Sequence, residues 1–252
     1  MSLLGKISKA MKKTTDFHPD PMGACIWDYF KGDVQAKARV YSSVGGVRWL
    51  SGAYLFRTYE QMPLPEQQAI DLACGKVLDV GAGSGCHSII LQEKCTVTAL
   101  EISSLSAACM RQRGVKNVVE ADIFTFDNAQ KYDTILLLMN GIGLAGTLEE
   151  TPRLLEKLKS LLAKGGQIIF DSSDILHLYE NDDGSIMLDL TANYYGEVIF
   201  QVSYNKQKGE KFPWVFIDFA QMCDLAEQAG LQCDYLCEGE TGNYLARLTV
   251  MV

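Results

Sequence analysis

The residues best spaced for chemistry are three alternate glycines behind an acid, Val77-Leu-Asp-Val-Gly-Ala-Gly-Ser-Gly85. Glycine at 81, 83 and 85 lacks the Cβ that would keep a ligand off the backbone. It also adopts the φ values that a sharp strand-to-helix turn demands. Glu101, Asp122 and Asn140 follow at similar intervals. A carboxylate only accepts hydrogen bonds and offers two oxygens, which makes Glu101 and Asp122 candidates for holding a ligand's donors. A dinucleotide fingerprint wants glycine at relative positions 1, 3 and 6. Here the sixth position is Cys86, with glycine at the fifth instead. A phosphate loop fails too, because no Gly-Lys-Ser or Gly-Lys-Thr follows.

These residues need strands that end beside one another. From Lys76 the apolar pattern predicts strands over 76–80, 96–100, 117–120, 132–139 and 167–171. Helices are predicted between them: 85–93, one capped by Ser103 and running to Arg111, and 147–162. The last opens on the capping-box spacing Thr147 to Glu150 and ends at Gly165 and Gly166. Such alternation requires right-handed crossovers and a parallel sheet covered on both faces. The tail departs from it. Residues 194–204 and 212–217 read as an antiparallel pair joined by the turn 205–210, and Asp218 caps a helix ending at Gly230. A final hairpin follows over 231–237 and 244–252. The expected fold is α/β: a doubly wound, mostly parallel seven-stranded sheet with an antiparallel C-terminal strand, a helical N-terminal extension and a β-hairpin insert.

Two parts are expected: 1–74 as a helical extension or lid, and 75–252 as the main domain, with the hairpin insert at 184–216. In the first part Leu3, Ile7 and Met11 recur among Lys6, Lys9, Lys12 and Lys13. That spacing suits a short surface helix packed on the domain rather than a membrane anchor. A helix from Asp33, a break at Pro63 and Pro65, and a short helix over 66–73 complete the extension.

The run Asp79-x-Gly81-x-Gly83-x-Gly85 resembles motif I of the class I S-adenosylmethionine (SAM)-dependent methyltransferases. Val97-Thr-Ala-Leu-Glu101 is similar to that family's second strand, Glu120-Ala-Asp122-Ile123 to its next motif, and 132–140 to its fourth strand. The resemblance covers 76–171 closely and the tail in architecture. It implies SAM as cofactor, held by Asp79, Gly81, Ala82, Gly83, Gly85, Glu101, Ile102, Asp122, Ile123 and Asn140. Glu101 would accept from both ribose hydroxyls and Asp122 from the adenine amino group, with the apolar neighbour Ile123 on the ring. The amide methyltransferases of this superfamily carry an Asn/Asp-Pro-Pro-aromatic tetrapeptide where this chain has Asn140-Gly-Ile-Gly143. That departure counts against that subclass and leaves Asn140 as the one catalytic candidate, toward the methionine moiety or the acceptor.

Composition narrows the partners. The chain has 252 residues and a net charge of −8, with no stripe of basic residues among aromatics, so nucleic acid is an unfavoured partner. No apolar run reaches bilayer length. Eight cysteines without a C-x-x-C spacing or an export signal read as reduced thiols of a cytoplasmic protein. Three histidines, none repeating at ligand spacing, give no metal site. Asp171, Asp174 and Asn140 faintly resemble the magnesium ligands of catechol-type enzymes, with Asn140 standing where that pattern has an acid. A small-molecule acceptor is expected, recognised by aromatic residues outside the shared core, with Tyr54, Arg57, Tyr195 and Trp214 as candidates. The alternatives are a protein acceptor, a binding module of the same fold without turnover, and aminopropyl transfer, whose acidic polyamine pocket residues 140–146 do not provide.

Overall fold

The computed structural model describes residues 19–181, 183–188 and 193–251. The basic amphipathic segment 1–13 and part of the insert, 189–192, lie outside them. From Lys76 onward the apolar runs form one seven-stranded sheet in the order β10-β11-β7-β6-β3-β4-β5. Its centre is β3 (Lys76–Val80), buried at every position but the first. It lies parallel to β4 (Thr96–Glu101) on one side and β6 (Tyr132–Leu137) on the other, with β5 (Val118–Glu120) beside β4. Next to β6 runs the parallel β7 (Leu162–Ser173). The antiparallel β11 (Asn243–Val250) and then β10 (Leu231–Glu238) close the sheet. This is the predicted doubly wound architecture.

Side chains alternate across a strand, so neighbours in β3 serve opposite faces. Leu78 packs with Ile135 and Ile168 under α6 (Thr151–Leu161) and α7 (Phe219–Gln228), where Leu154, Leu158, Met222 and Ala226 are buried. Val77, Leu136 and Ile169 face α3 (Leu64–Leu72) and α4 (Cys86–Leu91) through Ala69, Ile70 and Leu91. The predicted caps hold at two helices. The Ser103 Oγ accepts the Ser106 N–H at 3.0 Å to open α5 (Ser104–Arg113), and Asp218 accepts the Gln221 N–H at 3.0 Å to open α7. The Thr147 capping box is corrected. Its hydroxyl accepts the Glu150 N–H at 3.3 Å in a turn, and α6 begins one turn later at Thr151, with a proline near its start. Gly165 and Gly166 do not end that helix, because β7 already runs through them.

The N-terminal part differs most from expectation. No helix starts at Asp33. Instead β1 (Lys37–Ser42) and β2 (Gly46–Ser51) form an antiparallel hairpin. Gly45 and Gly46 take φ of +81° and +74° at its turn. The register pairs β1 with β8 (Glu197–Tyr204) of the insert, which pairs in turn with β9 (Gln207–Val215). The resulting four-stranded sheet, β2-β1-β8-β9, joins segments more than 150 residues apart, which local periodicity cannot register. Buried Ala38, Val202 and Tyr204 face Cys25 of α1 (Pro21–Phe30), while Ile26 on that helix meets Leu55 and Cys109. The helix is thus sandwiched between the small sheet and α5. A single turn, α2 (Gly52–Leu55), leads from β2 back toward the main sheet. Among the described residues no helix is long and apolar enough to cross a membrane.

Candidate functional site

A cavity of about 1200 Å³ opens at the carboxyl ends of β3, β4 and β6, where open α/β sheets bind ligands. The glycine loop forms its floor. Gly81 and Ala82 donate their N–H groups to the Leu100 carbonyl at 2.9 and 3.1 Å, tying the loop to β4. Gly81 and Gly83 have φ of +69° and +56°, and a Cβ at either would meet no atom closer than 3.8 Å. Both glycines line the cavity, so their backbone is bare to a ligand. Gly85 is different. Its Cβ would lie 2.8 Å from Met110 Cγ and 3.1 Å from Val115, so glycine there serves packing against α5.

This contrast makes a prediction. Gly83→Ala should lower stability by only about 1–2 kcal/mol, the cost of a left-handed alanine, while weakening any ligand in the cavity. Gly85→Ala adds overpacking of about 1–3 kcal/mol to the same backbone cost. Urea denaturation of the two variants should place Gly85→Ala well below Gly83→Ala.

Glu101, 8 % exposed, stands at the tip of β4. Its Oε2 accepts the Gly83 N–H at 2.7 Å and its Oε1 the Ser103 N–H at 2.8 Å. A carboxylate has room for about four donors, and Glu101 borders the cavity with these two already in place. Burial pushes the Glu101 pKa up, and the backbone donors pull it partly back. Asp122 folds over its own loop, accepting the Phe124 N–H at 2.9 Å. It lines the cavity with buried Ile123, while Ile102 is 69 % exposed on the same wall. Such an exposed isoleucine beside two acids suits the face of a flat apolar ring. Asp79 also borders the cavity, but its carboxylate accepts the Ser88 hydroxyl at 2.5 Å rather than loop amides, and burial raises its pKa.

Asn140 is not on the cavity wall. It adopts φ of +58°, directly after Met139 at +62°. Its N–H donates to Asp171 Oδ1 at 2.9 Å and its Oδ1 accepts the Ser173 hydroxyl at 2.8 Å, so its polar groups are turned onto β7. Met139 faces the cavity in its place. Asp171 Oδ2 takes the Asn243 amide at 3.1 Å, and Asp174 accepts the Leu176 N–H and the Tyr195 hydroxyl, each at 2.9 Å. Both acids therefore have protein donors. Burial lifts Asp171 from 3.8 to about 6, against the pull of Asn243 and the Asn140 N–H. An acid whose folded pKa is raised stabilises fully below its unfolded value and loses that contribution as pH rises through the folded one. Asp171→Asn should accordingly gain on the wild type between pH 4 and 7, by up to about 3 kcal/mol for a shift of roughly two units. Melting curves across that range would check the sign.

Three of the four acceptor-contact candidates are placed elsewhere. Arg57 is buried in an ion pair with Glu66 and donates to the Tyr54 carbonyl at 2.6 Å, so it is not available to a ligand carboxylate. The Tyr54 ring covers that guanidinium, and the Tyr195 hydroxyl is held by Asp174. Both lie off the cavity wall. Trp214 does line it. Its Nε1 lies 2.1 Å from where a Gly143 Cβ would stand, and Pro213 comes within 3.2 Å of the same position at Gly146. The glycines after β6 therefore let β9 of the insert dock on the 3-10 turn Gly141–Ala145.

Other wall residues escaped the sequence. Asp20 caps α1 through the Gly23 N–H at 2.8 Å and accepts the Ser103 hydroxyl at 2.5 Å, joining the extension to the tip of β4. An Asp-Pro pair at a helix start signals the cap but not that contact. His87, 5 % exposed, borders the cavity and donates to Glu66 at 2.9 Å.

A family model described as a methyltransferase domain matches residues 66–220. The fold is similar to that of a SAM-dependent methyltransferase from Bacteroides fragilis, crystallised with S-adenosyl-L-homocysteine (SAH). The two are 42% identical with a TM-score of 0.86, over 93% of this chain and 96% of that one. A SAM-dependent methyltransferase from Clostridium acetobutylicum is 15% identical, with a TM-score of 0.54 over 73% of this chain and 87% of that one. The sugar N-methyltransferase KedS8 from Streptoalloteichus is 16% identical, with a TM-score of 0.54 over 79% and 88%. These last two are likenesses of fold. Among curated proteins no sequence matches the chain.

Proposed function

Because this chain belongs to the class I SAM-dependent methyltransferases, we propose that it passes the methyl group of SAM to a small molecule held between the glycine loop and the insert hairpin. The observation that carries the acceptor reading is the cavity of about 1200 Å³. Sites for one drug-sized ligand run to roughly 300–1000 Å³, so this one has room for cofactor and acceptor together. Beyond the strand tips of the shared sheet, the extension and the insert add Asp20, Ile26, Leu55, Phe212 and Trp214 to its walls.

The residues fit the cofactor. Gly81 and Gly83 offer backbone without a side chain in the way and Ala82 lines the wall between them, Glu101 presents its carboxylate at the cavity edge, and Asp122 with Ile102 and Ile123 suits the base. Asn140 is left out of this set, and Met139 takes its place on the wall. Bound there, SAM supplies a methyl group already activated on a sulfonium. What the chain adds is alignment and dryness. Holding the acceptor atom in line with the methyl can remove up to about 7–11 kcal/mol of barrier in well-oriented cases. The apolar side chains Leu55, Leu138, Met139 and Leu144 keep water from the reacting atoms. The new bond forms between acceptor atom and methyl carbon while the carbon–sulfur bond breaks, its electron pair staying on sulfur. A base is needed only for an acceptor that must first lose a proton.

Calorimetric titration with SAH tests the cofactor site, and heat at micromolar concentrations is expected. A flat titration up to roughly millimolar ligand would correspond to binding weaker than about −4 kcal/mol and would end the proposal. SAH release with small-molecule extracts, against none with protein fractions, separates the two acceptor classes.

A further inference from the structure

Resting on the methyltransferase reading, we propose that the acceptor carries a flat aromatic ring, held against Phe212 and Trp214. The two ends of the cavity differ in chemistry. Asp79, Glu101 and Asp122 stand at the tips of β3 to β5, and Asp20 is bonded to Ser103 beside them. Facing them is an apolar patch, Phe212 and Trp214 on β9 with Met139 and Leu144 after β6, while Gln207, Glu210 and Lys211 border the cavity earlier in β9. A sugar-like acceptor would leave its hydroxyl groups without partners on that patch.

That patch is built rather than incidental. Trp214 is wedged where a side chain at Gly143 would be, and the Phe212 and Trp214 rings lie 6.2 Å apart at 75°, an edge-to-face pair. Phe200 braces both from the neighbouring strand, at 6.0 and 6.2 Å. Phe212 nonetheless keeps 36 % of its surface exposed, an apolar face left for another ring. Met139 reaches the cavity only through a left-handed backbone, an uncommon state for a long side chain.

Calorimetry on the full chain tests this, first with SAH alone and then with 2-naphthol and glucosamine added to SAH-saturated protein. The expectation is that 2-naphthol binds more tightly than glucosamine. Phe212→Ala should weaken it about 5-fold, as for a lost aromatic contact, and leave SAH affinity unchanged. Trp214→Phe, which keeps the wedge filled, should weaken it less but measurably. Normal SAH binding with no uptake of 2-naphthol would overturn the proposal, as would tighter binding of glucosamine, or 2-naphthol affinity indifferent to both aromatic variants. Failure of SAH itself to bind would instead overturn the reading beneath.

Discussion

Glu101→Ala is expected to raise the SAH dissociation constant by about 100-fold or more, the largest loss of affinity of any single change in the cavity. The carboxylate is proposed to receive both ribose hydroxyls beside the Gly83 and Ser103 donors. Hydrogen bonds to a charged group contribute about 1.5–3 kcal/mol each, so losing two costs about 3–6 kcal/mol before any relaxation. Alanine also releases the Gly83 N–H, so the loop loses its tie to β4 from that side. Glu101→Gln keeps the size but brings an amide donor against one of two backbone donors, and about a 10-fold loss is expected. Because burial holds the Glu101 pKa above the ordinary carboxylate value, SAH affinity should also fall as the pH is lowered through that raised value. Isothermal titration of wild type and both variants at pH 5 and pH 8 covers all three statements. An affinity unchanged in Glu101→Ala would remove the ribose assignment and leave the fold untouched.

The sheet was legible in the sequence because each of its strands carries its own signal. The apolar runs at 76–80, 96–100, 117–120 and 132–139 recur between helical stretches, and the glycines mark the turn between strand and helix. Glu101 and Asp122 stood out as candidates because they lie just past the runs 96–100 and 117–120. The small sheet was not legible. Residues 33–51 scatter the strand formers Val34, Val40, Tyr41, Val44, Val47 and Trp49 among alanine, lysine, arginine and serine without regular alternation, and their partner β8 lies over 150 residues on. A pattern satisfied by a distant strand looks locally like a helix or nothing. Arg57 failed for a related reason. An arginine among apolar neighbours suggests a ligand, but its counter-ion Glu66 is itself hidden on a helix one turn from a proline. Asn140 was placed correctly at the strand tip and wrongly in direction. Two successive left-handed residues reverse the chain there, and no spacing rule foretells a left-handed methionine.

The same buried cluster yields the second large effect, on stability rather than binding. Glu66→Ala is expected to destabilise the fold by about 3–5 kcal/mol, the cost of stranding buried charges. Glu66 is 3 % exposed, and its Oε2 alone receives Arg57 Nε at 3.1 Å, Arg57 Nη2, and His87 Nε2 at 2.9 Å. Burial pushes Glu66 up, yet His87 and Arg57 together hold it below the ordinary value. For His87 burial opposes the charge, but Cys86, Glu66 and Asp79 around it carry the imidazole well above its ordinary 6.5. The signs give a pH window. A lowered acid contributes fully above its unfolded value of 4.5 and is lost as pH falls through its folded one. A raised histidine contributes fully below 6.5 and is lost as pH climbs through its folded value. Both ends of the network are therefore complete between pH 4.5 and 6.5, and the melting-point gap between wild type and Glu66→Ala should be widest there. At roughly 2–4 °C per kcal/mol for a domain of this size, the gap should reach about 6–20 °C. Replacing Arg57, Glu66 and His87 together by leucine or methionine should recover much of it, because no charge is then left unpaired. A triple variant as unstable as Glu66→Ala would mean that the cluster holds α3 and α4 by shape rather than by charge.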